Sequence, residues 1–329
     1  MDIDAYSYTH RGGWHRLDQL SRRRQLSGAE VDELIGLYRR TARQLALLQQ
    51  HGADQELLGA LGAVLTRARG RVLGTRSNTW RSAGRFFTHR FPAAVYRVWP
   101  WWVGVAVVFL VISAGLSYWV AEFDSARGLL GLPKDHSGVT APGGAFETYY
   151  SAHPNGAFAA QVWSNNAWVC AIALFTGVLT LPAVYLLFMN ALNLGVSAGL
   201  MADAGRLDSF FGFILPHGTL ELTAVFVAGG AGLKLGWTLI DPGRSGRVAA
   251  LAGQGRATAT LALGLVGVLA VSGVLEGFLT PSALPAPVRV AIGLCAEAVF
   301  LAYVFGAGRN AERERRRCTD TTSGDNWPL

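Results

Sequence analysis

The sequence predicts an all-α fold, a polytopic transmembrane helical bundle of about six spans, one short or re-entrant, with a cytoplasmic N-terminal helical hairpin. Three observations predict it. Of the 329 residues, 51% are hydrophobic and 40 are glycine, a combination that membrane helices tolerate and water-soluble domains rarely show. Several apolar runs approach the ~20 residues that cross a bilayer core. The net charge of +7 is unevenly spread, concentrated at the chain ends and in one connecting loop.

Residues 1–78 read as a cytoplasmic helical region. Ser27 and Glu30 are spaced as a capping box, with Leu26 and Val31 placed as a hydrophobic staple. Val31, Leu34, Ile35, Tyr38, Ala42, Leu45 and Leu48 then recur at helical spacing, and Leu57, Leu58, Leu61, Val64, Leu65 and Ala68 make a second stripe. Arg67, Arg69 and Arg71 fall late in that stripe, where cations suit the negative end of a helix. Two such helices pair as a hairpin. The polar opening, MDIDAYSYTH, is unlike a cleavable signal peptide, so an internal segment is expected to direct insertion. Cys170 and Cys295 lie in apolar runs and Cys318 in the tail, which excludes a disulfide framework and a CxxC metal motif.

Residues 79–99 mix aromatics with arginines immediately before the first span. Arg81, Arg85, Phe86, Phe87, Arg90 and Trp99 describe an amphipathic helix in the headgroup layer, with membrane lipids as its partner. A basic and aromatic mix also binds single-stranded nucleic acid. The adjoining span favours lipid, and no nucleic-acid partner is expected.

The transmembrane domain is expected over 100–306, with an outer loop at 122–166 and a basic cytoplasmic tail at 307–329. Apolar runs cover 101–120, 210–237, 259–279 and 288–305. Between them, 167–201 is too long for one crossing and is interrupted by Pro182, Asn190 and Asn193. Residues 1–100 hold 16 arginines against 8 acidic residues, whereas 122–166 has a net charge of −2. Arg244, Arg247 and Arg256 mark the 238–258 loop, and Arg315 to Arg317 mark the tail. By the positive-inside rule both termini and the 238–258 loop face the cytoplasm of a bacterial inner membrane. An odd number of crossings must then separate 166 from 238, so the short glycine-rich segment 190–205 becomes a half-length crossing or re-entrant helix. Five spans would require a basic loop outside.

Ionisable groups in the apolar runs are the sharpest chemical feature, because charge at that depth is costly. His217 and Glu221 share one helix face at i and i+4, just after Pro216, which suits a first helical turn. Glu276 lies near the outer end of its span and Glu297 mid-span. Three roles compete for them: a structural polar network, an ion or metal site for which His217 and Glu221 are weak candidates, and a substrate pathway. Asn165 and Asn166 are placed as N-caps of an outer helix start, and Asn190 and Asn193 sit where amides would satisfy a broken backbone. The pairs Gly195/Gly199, Gly232/Gly236 and Gly273/Gly277 permit close helix contact, within the chain or in a homodimer. No P-loop, Rossmann fingerprint or G-x-S-x-G occurs, and the His217/Glu221 spacing is not HExxH. No enzyme activity and no cofactor are expected.

The succession SNNAWVCAIALFTGVLTLPAVYLLFMNALNLGVSAGL, then ILPHGTLELTAVFVAGGAGLKLGW, then LEGFLTPS resembles the stage II sporulation protein M family of bacterial integral membrane proteins. The resemblance runs from about Val31, with LYRR at 37–40, to about Phe305, and PHGxxE is its specific part. It implies a membrane subunit that, in sporulating relatives, brings peptidoglycan-degrading partners to the septal membrane. It implies no catalytic residues. The expected function is therefore a non-catalytic scaffold for cell-envelope partners of unidentified kind, with a homo-oligomer, a dimer, as the expected assembly. The alternative is a small transporter or ion-coupled channel using His217, Glu221 and Glu276.

Overall fold

The computed structural model describes residues 3–23, 26–72, 79–150, 155–243 and 246–315. They form two compact units, divided between Gly84 and Arg85. The tail from 316 onward, with Arg316, Arg317 and Cys318, lies outside the described residues.

The first unit is a three-helix bundle rather than a hairpin: α1 (Ile3–Arg22), α2 (Gly28–Gln50) and α3 (Gln55–Val72), each packed on the other two. Ser27 and Glu30 cap α2 reciprocally, as the spacing requires. Leu26 packs against the core, whereas Val31 stands exposed. The unexpected helix is α1, whose Trp14, Leu17 and Leu20 enter the core beside Leu34, Leu48, Leu61 and Ala68. Its apolar stripe is interrupted by Gly12 and Gly13 and its other positions are polar, so periodicity alone understates it. Trp14 Nε1 donates to Gln44 Oε1 at 2.8 Å, giving the buried indole its polar partner.

The second unit holds six helices long and apolar enough to cross a membrane. After α4 (Thr79–Arg85), a π-helical turn at 86–90 and α5 (Phe91–Arg97), the first is α6 (Trp99–Glu122). Short helices α7 (Asp124–Leu129), α8 (Ser137–Thr140) and α9 (Ala145–Tyr149) follow in the connection. The remaining long helices are α10 (Asn155–Thr176), α11 (Leu181–Asp203), α12 (Leu207–Ile240), α13 (Arg247–Val274) and α14 (Ala286–Tyr303). A π-helical turn at 275–279 extends α13, and α14 remains helical to Arg315.

The expected number of spans holds, but the third is a full-length helix. The long run breaks in a tight turn at Gly177–Leu179, closed by Thr180 at φ 60°, and not near Asn190. Asn190 and Asn193 lie inside unbroken α11, where Asn190 Nδ2 donates to the Leu186 carbonyl at 2.8 Å. Neither amide repairs a break, and no half-length or re-entrant helix is needed. The loop expected at 122–166 is also shorter, because α10 begins at Asn155 and carries Asn165 and Asn166 in its interior rather than at its cap.

Helix α12 is the axis of the bundle. Helices α6, α10, α11, α13 and α14 all pack on it, and 61% of its apolar stretch is buried, against 17% for α6 and α14. Small residues make that packing possible. A Cβ on Gly232 would strike the Ala173 carbonyl oxygen, and one on Gly236 the Gly177 carbonyl. A Cβ on Gly195 would lie 2.7 Å from the Ser113 carbonyl oxygen, one on Gly199 2.7 Å from Val120 Cβ, and one on Gly273 3.1 Å from the Ala159 carbonyl oxygen. Gly277 is buried as well. These five contacts are spent on neighbouring helices of the same chain. Large apolar side chains such as Val108, Val111, Trp168, Phe175 and Leu263 point outward, as a lipid-facing surface requires.

The segment before the first span is only partly peripheral. Arg85, Phe87, Arg90 and Trp99 are exposed and Phe86 is half-buried, while the Arg81 side chain lies outside the described residues. Phe91 to Val95, by contrast, are buried, with Phe91 filling the space left by Gly264 and Pro92 lying against Gly308. That half is part of the bundle.

Candidate functional site

The site grows from two helices. On α12, His217 and Glu221 stand one turn apart, about 15 Å along the axis from the helix start at Leu207. On α13, Ser272, Glu276 and Thr280 recur every four residues across the π-helical turn, a widening that is often found at functional positions. The two stripes meet. One ligand atom from each of His217, Glu221 and Glu276 lies within 4.8 Å of the others. His217 is 5% exposed and Glu276 is 4% exposed.

Pro216 does not open a helix here; it sits inside α12. Its missing N–H leaves one carbonyl of the preceding turn without a helical donor. Helix α14 comes closest at this point, where a Cβ on Gly293 would lie 2.6 Å from Pro216 Cα.

Hydrogen bonds orient the imidazole. Thr280 Oγ1 lies 3.1 Å from His217 Nδ1 and 3.4 Å from the Leu275 carbonyl oxygen. Ser272 Oγ donates to the His217 carbonyl at 3.1 Å and lies within hydrogen-bonding reach of Glu221. His217 Nε2 then faces Glu276 Oε1 at 3.8 Å, beyond hydrogen-bonding distance. Glu276 Oε2 is buried without any partner.

The cluster is roofed. Tyr150 is buried, stacks on Phe213 at 5.3 Å between centroids and sits 5.9 Å from the His217 ring. Arg289, at the start of α14, donates to the Thr280 carbonyl and lies 5.3 Å from the Phe213 centroid. Among the described residues no Lys or Arg forms an ion pair with Glu221 or Glu276. The connection carrying the roof is itself pinned: Arg206 pairs with Glu147, and Asp203 receives Arg127 at 2.8 Å and His136 at 3.0 Å. Gly143 N–H and then Arg206 hold the Glu147 carboxyl below its ordinary value.

Other expected site residues lie elsewhere. Glu297 accepts from Thr223 Oγ1 at 2.8 Å, with Oε2 buried and unpartnered, outside the three-residue cluster. Asn190 and Asn193 belong to α11. Arg90 lines a basic groove with Arg97, Arg256 and Arg315, and Arg97 there binds the buried Glu312 at 2.9 Å. Sequence reasoning missed Ser272 and Thr280, although their four-residue spacing from Glu276 was a readable signal. It also missed Tyr150 and Glu312, for which no local pattern exists.

The stage II sporulation protein M family matches residues 105–281, more than half of the chain and all of α12 and the π-helical turn. The protein belongs to that family. In this member of the stage II sporulation protein M family, residues 4–74 match a separate domain of unknown function (DUF8413), so LYRR at 37–40 is no part of the family region and the resemblance drawn from Val31 to Phe305 narrows accordingly. The whole His217, Glu221 and Glu276 cluster falls inside the family region. No curated protein and no solved structure matches the chain.

Proposed function

We infer that the protein is a non-catalytic scaffold of the bacterial cytoplasmic membrane, with both termini cytoplasmic, which holds cell-envelope partners at its outer end. The observation carrying this reading is that two of the three ionisable groups, His217 and Glu276, are shut away, while Glu221 is half-buried. His217 and Glu276 are buried beneath Tyr150, and the apolar groove lined by Val105, Phe109, Val184 and Leu187 includes no cluster residue. A transport route brings its ionisable groups to a water-filled cavity. The ion-pinned connection, with Leu129 81% exposed, offers an ordered outer platform instead. Exposed Arg85, Phe87, Arg90 and Trp99 suit a cytoplasmic-side contact with anionic lipid.

The second reading, an ion-coupled transporter, draws on one observation, the partnerless buried oxygens of Glu276 and Glu297. A paired experiment separates the two. Purified protein in liposomes is tested for proton and cation flux, and a photocrosslinker placed at Leu129 is compared in cells with one at Val248, also exposed, in the 247–250 turn of α13. The scaffold reading expects flux equal to that of empty liposomes and envelope proteins crosslinked at Leu129 alone. Flux abolished by Glu221→Gln would overturn it.

A further inference from the structure

We propose that His217, Glu221 and Glu276 form a divalent metal site of the zinc class, tying α12 to the π-helical turn at the end of α13. The first support is the donor set. One imidazole nitrogen and two carboxylates whose ligand atoms lie within 4.8 Å of one another match the three-protein-ligand arrangement that leaves a fourth position open. Imidazole among the ligands favours zinc-like ions over magnesium or calcium, which prefer all-oxygen shells.

The second support is independent of the donor count. In the tautomer that carries its proton on Nδ1 and donates it to Thr280, 3.1 Å away, His217 Nε2 is left with its lone pair. That lone pair faces a carboxylate oxygen, Glu276 Oε1, at 3.8 Å. Two acceptors facing each other repel unless a proton or a metal ion lies between them. Metal-bound histidines commonly donate the other ring N–H to a neighbouring oxygen, which is the role Thr280 plays here. Third, Glu276 Oε2 is an orphaned acceptor on a side chain only 4% exposed, an arrangement that buried polar groups avoid. Fourth, no Lys or Arg among the described residues pairs with either carboxylate, so a doubly charged ion is the group that would neutralise both. Arg289 stays outside the shell, held on the Thr280 carbonyl and the Phe213 ring.

The inference stands apart from the scaffold reading, because that reading rests on the outer connection and neither a bound ion nor its absence at this cluster decides it. The test uses the full-length chain, without a polyhistidine tag, purified in detergent. It is incubated with stoichiometric zinc, dialysed and assayed for metal by elemental analysis, with excess magnesium as competitor. We expect about one zinc per wild-type chain, undisturbed by magnesium, and at least tenfold weaker retention in Glu276→Gln and His217→Ala. Glu297→Gln, equally intramembrane but outside the cluster, should retain wild-type zinc. If a cluster variant fails to fold, cobalt substitution of the wild type provides the readout, with visible bands of a tetrahedral nitrogen and oxygen site expected. Wild-type protein without zinc above the dialysis blank, or Glu276→Gln binding as much as wild type, would overturn the proposal and assign the cluster a shared proton instead.

Discussion

Residue by residue, close approach and polar compensation account for most of what is distinctive here. Gly232 lies where any side chain would meet the Ala173 backbone, whereas Gly115 has open space around it. Gly232→Leu should therefore lower the thermal stability of the purified protein by about 1–3 kcal/mol through overpacking, while Gly115→Ala should not reduce it. A denaturation series in detergent checks both. Glu147 makes a pH-dependent contribution whose sign follows from its partners. Its pKa is depressed from 4.5 by the Gly143 N–H and by Arg206, so its stabilisation is present above that value and disappears as the pH falls through the folded pKa. Glu147→Gln should cost about 1–2 kcal/mol at neutral pH, and the difference from wild type should close in acid. A gap that persists unchanged in acid would mean that the side chain stabilises by packing.

Element by element, the sequence pattern was informative wherever one physical signal dominated. The capping box named the start of α2, and hydrophobic length named α6, α12 and α14. Replacing Ser27 with Ala should destabilise the first unit by about 0.5–2 kcal/mol, measured by helix melting, since its hydroxyl accepts the Glu30 N–H at 3.3 Å. Competing signals misplaced other boundaries. Asn190 and Asn193 looked like a break because amides suit broken backbone, yet a helix interior surrounded by small residues accommodates them. The real break lies at Thr180, just before Pro182, the one of the three named interruptions that does open a helix. Pro216 suggested a helix start, but it lies inside α12, against Gly293 of α14. The site was legible in part. His217 and Glu221 were visible as a pair one turn apart, and Glu276 as an isolated acid. Their meeting depends on α12 packing against α13, a long-range fact outside any local window.

On the scale of the whole molecule, parity and charge make one statement. Six spans place residues 123–150, 204–206 and 280–285 at one end, and residues 177–180 and 241–243 at the other. Parallel neighbours agree: Gly195 and Gly199 of α11 meet Ser113 and Val120 of α6 in the same order, as Ala173 and Gly177 of α10 meet Gly232 and Gly236 of α12. The orientation proposed above puts the basic ends in the cytoplasm and the acidic connection outside. On that proposed orientation the roof over His217 is the outer face of the membrane domain. Substituted-cysteine labelling tests this most directly, in intact cells, in a chain whose native Cys170, Cys295 and Cys318 have been replaced. With an impermeant maleimide, cysteines at Leu129 and Leu284 should react at once, and one at Val248 only after the membrane is opened. Labelling of Leu129 and Val248 from the same side would contradict the account, because it leaves an even number of crossings between them.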